Sequence, residues 1–275
     1  MTFPDIDPII VQIGPLALRW YGLMYVLAFT ATYLLVARHI RRWDPPGLAA
    51  HFDNINMTLI ISLVIGGRLG YVFFYNLSYY AAHPLQAFNT LAGGMSFHGG
   101  MLGAIVGGFW YCRRHKLNFL ALADIYVATM PIGLGLGRIG NFINGELYGR
   151  VSEVPWAMVF PGGGPLPRHP SQLYEALLEG AVFFGLLAWA SSAKRREGWG
   201  HGTILALFIF FYGALRFIVE FYREPDAHLG LLAGLLSRGQ VLSLLMIVVG
   251  AALFVWFRRR PAGADGEMEH TRGRS

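Results

Sequence analysis

The chain has 275 residues, of which 55% are hydrophobic and only 14% charged, a balance that excludes an ordinary soluble domain, where roughly a quarter of residues carry charge. Its net charge of +6 does not point to a nucleic-acid partner, because the basic residues lie in short clusters between apolar runs, where they set membrane orientation. The single cysteine, Cys112, excludes an internal disulfide and a cysteine-based metal site, and no metal or organic cofactor is expected.

Residues 1–14 carry Asp5 and Asp7 and no lysine or arginine, the reverse of the basic start of a secretory signal, so the apolar run that follows is expected to stay in the chain. Long apolar runs then predict helices at 18–36, 52–71, 97–112, 120–139, 172–191, 203–221 and 241–257. The third is short and rich in glycine (Gly99, Gly100, Gly103, Gly107, Gly108), which suits close helix contact in lipid. Basic clusters follow every second helix: Arg38, Arg41 and Arg42; Arg113, Arg114 and Lys116; Lys194, Arg195 and Arg196; Arg258, Arg259 and Arg260. Short cytoplasmic loops retain lysine and arginine, so this alternation predicts seven transmembrane helices with the N-terminus outside and the C-terminus in the cytoplasm. The expected fold is all-α, a polytopic membrane protein, with residues 1–260 as a single integral-membrane domain. Residues 261–275, polar and mixed in charge, read as a disordered cytoplasmic tail. Two extracytoplasmic stretches, 76–95 and 140–171, are long enough to hold structure, and the second is rich in proline and glycine between Pro155 and Pro170.

A charged side chain near the middle of a membrane helix costs about 2.5–3.5 kcal/mol on insertion scales, so such residues face a partner, a cavity or a ligand. The predicted spans contain Arg68, His98, Arg138, Glu175, Glu179, Arg216 and Glu220, all placed by the predicted orientation toward the outer leaflet. A basic, partly embedded site open to the outer face accounts for that concentration. Plainer readings stand beside it. Arg216 and Glu220, four apart on one helix, could neutralise each other, Glu175 and Glu179 could be counter-charges for Arg68 or Arg138, and His98 could be a packed structural histidine. A small-solute transporter or channel would also carry intramembrane charge, but a path needs polar residues through both leaflets. The inner halves offer little beyond Asp124, Asn54 and Asn56. A hydrolytic membrane enzyme would need a nucleophile arrangement that the sequence lacks.

The densest signal is Gly137-Arg138-Ile139-Gly140-Asn141-Phe142-Ile143-Asn144-Gly145-Glu146-Leu147-Tyr148-Gly149-Arg150, where an apolar helix is expected to give way to non-helical backbone. Asn141 and Asn144 supply donors and acceptors for backbone groups freed there. This stretch resembles the signature of the prolipoprotein diacylglyceryl transferases. The segments around Arg19-Trp20-Tyr21-Gly22, Gly66-Gly67-Arg68-Leu69-Gly70, Ser96-Phe97-His98-Gly99-Gly100, His169-Pro170-Ser171-Gln172 and Arg216-Phe217-Ile218-Val219-Glu220 are similar to that family in the same order; Arg19 is the one departure.

The resemblance implies a multi-pass enzyme of the bacterial inner membrane with its active site toward the outer, periplasmic leaflet. Its implied partners are phosphatidylglycerol, other membrane lipid and a prolipoprotein signal peptide with a lipobox cysteine. The reaction it implies moves the diacylglyceryl group onto that thiol and releases glycerol 1-phosphate. His98, Arg138 and Arg216 are then the expected catalytic residues. Arg138, Arg216, Tyr21, Asn141, Glu146, Gly149, Glu220 and Arg68 are the expected phosphatidylglycerol-binding set.

Overall fold

The computed structural model describes residues 1–14, 16–43, 47–89, 93–224, 231–232 and 236–260. The expected tail at 261–275 lies outside the described residues. Large apolar side chains face outward along the helices, with Val26 61%, Leu102 60% and Val248 66% exposed, while Arg68, Glu175, Glu179 and Gln172 are buried. That is the inverse of a soluble fold, and it is stable only where lipid covers the outer faces. Five helical stretches are long and apolar enough to cross a membrane: Trp20–Trp43, Ala49–Tyr75, Phe119–Ile143, Ser171–Glu197 and Arg238–Arg258. The protein is a mostly helical, polytopic membrane protein.

The chain divides into two compact units, His39–Leu122 and the rest. In the larger unit a small antiparallel hairpin, β1 (Ile9–Ile13) and β2 (Leu16–Arg19), precedes α1 (Trp20–Trp43). The all-α expectation did not include it, because its strands are too short to show an alternating pattern. The smaller unit holds α2 (Phe52–Tyr75), the short α3 (Leu77–Ala82) and α4 (Phe97–Arg114).

α2 and α4 pack backbone to backbone. Ser62, Gly66 and Gly70 recur every four residues on α2, and Gly99, Gly103 and Gly107 do so on α4, so each helix presents one stripe of small residues. A methyl on Gly103 would sit 2.2 Å from the Ser62 carbonyl oxygen, and one on Gly66 would sit 2.4 Å from the Gly99 oxygen. Backbone cannot step aside, so Gly103→Ala is expected to destabilise the protein by about 1–3 kcal/mol, the usual cost of overpacking. Thermal unfolding of the full chain in detergent measures it, and an unchanged midpoint would mean that the helices slide freely.

The predicted fourth span is two helices, α5 (Phe119–Val127), whose first four residues belong to the smaller unit, and α6 (Met130–Ile143), in the larger one. Pro131 causes the break: its ring nitrogen has no hydrogen to donate to the Val127 carbonyl, and the ring crowds that group. The chain instead makes a tight turn, with the Thr129 hydroxyl donating to the Tyr126 oxygen at 2.8 Å. α6 then runs past the expected end at 139, through Asn141, because its ladder persists to the bond from Asn144 N–H to the Gly140 oxygen at 3.0 Å. The expected break at Gly140 therefore falls at Asn144.

The next helix enters as α7 (Ser171–Glu175), widens into a π-helical stretch (Ala176–Val182) and continues as α8 (Phe183–Glu197). α9 (Thr203–Val219), two short strands β3 (Leu231–Leu232) and β4 (Leu236–Ser237), and α10 (Arg238–Arg258) complete the unit. Its apolar core is built around Phe183, Leu187, Ile204, Leu207 and Leu215.

Candidate active site

Two glycines set the site. A methyl on Gly180, in the π-helical stretch, would lie 2.8 Å from the Gly135 Cα on α6, and one on Gly135 would meet the Gly180 Cα at 3.0 Å. The two helices touch there through backbone alone. One turn further on, Arg138 reaches Glu175, its Nε 2.7 Å from Oε2. Glu175 is the hub. Its carboxylate also takes Arg216 Nη1 at 3.2 Å and Arg223 Nη1 at 3.2 Å. Arg216 extends the network to Glu179 at 3.5 Å and, through Nη2, to Glu220 at 3.1 Å.

Burial is unequal across these pairs. The Glu175 and Glu179 side chains are fully buried, at 0% exposure, whereas those of Arg138, Arg216 and Arg223 are 21%, 18% and 17% exposed. The site thus has an acidic floor and a cationic rim. One oxygen of Glu179 has no hydrogen-bond partner among the described residues. Arg138 Nη2 and Arg223 Nη2 likewise have no acceptor among them, so two amino groups, each with two N–H donors, stay available to an anion at the rim. Glu220 is held in turn by the Ser237 hydroxyl, which donates to its Oε1 at 2.9 Å.

The motif loop leaves α6 beside this cluster. Arg138 Nη1 donates to Asn141 Oδ1 at 3.4 Å, and Asn141 Nδ2 donates to Glu146 Oε1 at 2.9 Å, with Asn144 Nδ2 on the same oxygen at 3.2 Å. Leu147 adopts φ +57°, a conformation that side-chain-bearing residues rarely take and that costs on the order of 1–3 kcal/mol. It is held from both sides by the start of α7: Gln172 Nε2 donates to the Glu146 carbonyl at 2.6 Å and the Ser171 hydroxyl to the Leu147 carbonyl at 3.2 Å. Gly149 is a close-approach glycine. A methyl there would stand 2.4 Å from the Tyr222 carbonyl oxygen and 2.9 Å from the His169 Cβ. Arg150 continues the contact, donating from its backbone to the Tyr222 oxygen at 3.0 Å and from Nε to the Arg223 oxygen at 2.8 Å. The loop therefore grips the turn after α9 that carries Arg223.

His169 belongs to this clamp: its carbonyl accepts the Gly149 N–H at 2.9 Å and its Nδ1 lies 3.1 Å from the Tyr174 hydroxyl. Burial holds its imidazole below the usual value of 6.5, because the charged form loses solvation. The unfolded loop binds a proton below about pH 6.5 while the folded one still resists it, so loop stability rises with pH across that window and falls as pH drops through it. Amide exchange over residues 145–171, corrected for intrinsic rate, is expected to show less protection at pH 5 than at pH 7.5. Equal protection would remove His169 as the cause.

The other expected site residues fall as follows. Tyr21 starts α1 against Gly140, whose added methyl would lie 2.9 Å from the Tyr21 ring, and its hydroxyl is 3.1 Å from that of Tyr25. Of the open readings for the glutamates, Glu175 pairs with Arg138, and the Arg216–Glu220 pair is real but is only one edge of a larger network. His98 lies in the smaller unit, exposed in the first turn of α4, with its ring edge-on to Phe97 at 5.7 Å. Arg68, also in that unit, spends all five N–H donors on the protein: Nε on Ala87 O, Nη1 on Gly93 O and Gly94 O, and Nη2 on Gln86 O and the Tyr80 hydroxyl. Its guanidinium ties the carbonyls of Gln86 and Ala87 to those of Gly93 and Gly94. Asp124 is absorbed structurally by Lys194 and by the Gly202 and Leu205 amides. Arg223 was missed as a site residue. Its spacing, three after Glu220 and seven after Arg216, was the available signal.

A chain with five helices able to cross a membrane, carrying a buried acidic floor under partly exposed arginines, is a polytopic membrane protein with a candidate site at that cluster. A profile of the prolipoprotein diacylglyceryl transferases matches residues 8–256. The chain is 55% identical over 258 residues to the phosphatidylglycerol–prolipoprotein diacylglyceryl transferase of Desulfotalea psychrophila, covering 93% of this chain and 94% of that one. It is 53% identical to the enzyme of that name from Geobacter sulfurreducens, covering 96% of this chain and 100% of that one. With the Vibrio cholerae enzyme of that name it shares 49% identity, over 94% of each chain. The chain belongs to the prolipoprotein diacylglyceryl transferase family.

Proposed function

We propose that this chain transfers the diacylglyceryl group of phosphatidylglycerol to the thiol of the lipobox cysteine in a prolipoprotein signal peptide. A carbon–sulfur bond forms at the glycerol carbon as its bond to the phosphate oxygen breaks. The products are a thioether and glycerol 1-phosphate, and the thiol proton passes to a base. The observation that carries this reading is the cationic rim over the acidic floor. The donor lipid is anionic, and forked guanidinium groups bind a phosphate with paired charge-assisted hydrogen bonds. Negative charge grows on the departing phosphate, so arginines aimed at it stabilise the transition state more than the ground state.

In this proposal Arg138 and Arg216 grip the phosphate, and Arg223, which the network adds, shares that task. Glu175, Glu179 and Glu220 fix the arginine orientations, Asn141 and Glu146 shape the headgroup pocket, Gly149 holds the loop in place, and Tyr21 bonds the phosphate or glycerol. Arg68 acts on lipid only through the backbone groups it holds. His98 is the general base: a free thiol is only a few per cent thiolate at neutral pH, so a proton acceptor is needed.

We further propose that residues 1–260 form one integral-membrane domain of the bacterial inner membrane, with the shorter helices α4 and α9 spanning as well. That gives seven spans, the N-terminus outside and the reaction site at the outer leaflet. Cys112 is buried, so a cysteine introduced at Gly162 or at Arg195 reports alone. An impermeant maleimide should label the first in intact cells and not the second; the reverse would invert the topology.

The reaction itself is tested with purified protein, labelled phosphatidylglycerol and a lipobox peptide. Label on the peptide cysteine with matching release of glycerol phosphate is expected. No transfer by well-folded protein would return the small-solute transporter to first place.

A further inference from the structure

We propose that a groove at the Glu197 end of α8, remote from the arginine cluster, is a binding site for one anionic glycerophospholipid. Its acyl chain lies along Trp189, Leu207 and Phe254, and its phosphate sits between Arg196 and Arg258. The groove has a volume of about 440 Å³ and is walled by α8, α9 and α10, within the range of sites that hold small ligands. It is separated from Glu175 by roughly 30 Å of helix, so it is a second place and not an arm of the reaction site.

The walls and the mouth differ in chemistry. Leu207 and Ala193 form a buried floor, while Trp189 is 60% exposed on the outer apolar face, so a chain entering the groove continues into the lipid around the helices. At the mouth the only carboxylate lining the groove among the described residues is already satisfied. Glu197 accepts the Trp199 indole N–H at 2.8 Å and pairs with Arg258 at 3.0 Å. Arg258 is held by that pair and by its stacking over Trp199, 4.7 Å from the ring centroid. Arg196 lines the same groove and has no partner among the described residues. Asp124 offers it no anion, being itself paired with Lys194.

The mouth thus holds one net positive charge beside an apolar slot. A phosphate with an attached acyl chain satisfies both, whereas an uncharged chain leaves Arg196 uncompensated. Arginines at this position also present paired donors to a phosphate, which the choline of a zwitterionic lipid partly neutralises.

The test uses the full chain in phosphatidylcholine nanodiscs containing a trace of phosphatidic acid with a photoactivatable diazirine in its acyl chain. Phosphatidic acid has no glycerol headgroup to release, so the result is independent of the transferase reading. Crosslinks are expected to concentrate on the peptides bearing Trp189 and Phe254, about fivefold above those from a phosphatidylcholine probe of the same chain. Each of Arg196→Gln and Arg258→Gln should lower that yield by about fivefold, the contribution of one cation near an anionic headgroup. Leu207→Trp, which fills the floor without touching the charges, should displace the chain and remove the crosslinks. Equal labelling by the two probes, labelling spread evenly over the lipid-facing helices, or labelling untouched by Leu207→Trp would overturn the site, even if the arginine variants failed to fold.

Discussion

Arg138→Lys is expected to lower the turnover of diacylglyceryl transfer by roughly 100- to 1,000-fold, the range seen when one donor to a developing anion is removed. The charge survives this substitution and the geometry does not. Arg138 uses Nε on Glu175 and Nη1 on Asn141, which leaves Nη2 for a ligand. An ammonium group is a single point that cannot hold two protein acceptors in one plane and face a phosphate as well. The loss should fall on kcat more than on KM, because the interaction strengthens as the phosphate departs. A variant with normal kcat and a raised KM would show that the arginine binds the ground state only. His98→Gln separates the two halves of the reaction. If His98 takes the thiol proton, the variant loses rate near neutral pH and recovers it as rising pH ionises the thiol unaided. A flat, wild-type profile would assign activation of the sulfur to the field of the arginines.

Much of this site was legible before any coordinates, for a reason specific to membranes. A charge in an apolar run is costly, so Arg138, Glu175, Glu179, Arg216 and Glu220 stood out by position alone. Their pairing did not, because side-chain partners across helices depend on which faces touch, and those faces were set by Gly135 and Gly180, two glycines among 35 in the chain. Arg223 escaped because it follows the last turn of α9 and read as a scattered loop charge. Arg68 has the opposite history. Its depth and charge suggested a ligand, and its five donors are taken by four backbone carbonyls and the Tyr80 hydroxyl, partners that no local pattern announces. Most of each apolar run is helical, and five helical stretches are long and apolar enough to cross a membrane, yet the break at Pro131 and the helical start of the motif through Ile143 depended on which carbonyls found partners.

The stability of the larger unit should depend on Glu175 more than on any other side chain of the site. Its carboxylate meets Arg138, Arg216 and Arg223 with no exposure to solvent. With Glu175 replaced by alanine, three guanidinium groups face only Glu179 and Glu220, and one positive charge is left without a counter-ion at the floor of the network. Removing one partner of a buried ion pair costs about 3–5 kcal/mol, and the same range is expected here. Thermal unfolding in detergent should therefore show a marked drop in midpoint for Glu175→Ala, and for Glu175→Gln, which keeps an acceptor oxygen but not the charge. The decisive comparison is Glu175→Gln combined with Arg223→Gln. Charge balance returns in that double variant, so its loss should be smaller than the sum of the single losses by at least about 1 kcal/mol, a coupling typical of groups sharing one network. If Glu175→Gln unfolds within about 0.5 kcal/mol of wild type, the level of an ordinary surface substitution, the network does not depend on the Glu175 charge, and the arginines are held by their remaining partners Glu179, Glu220 and Asn141.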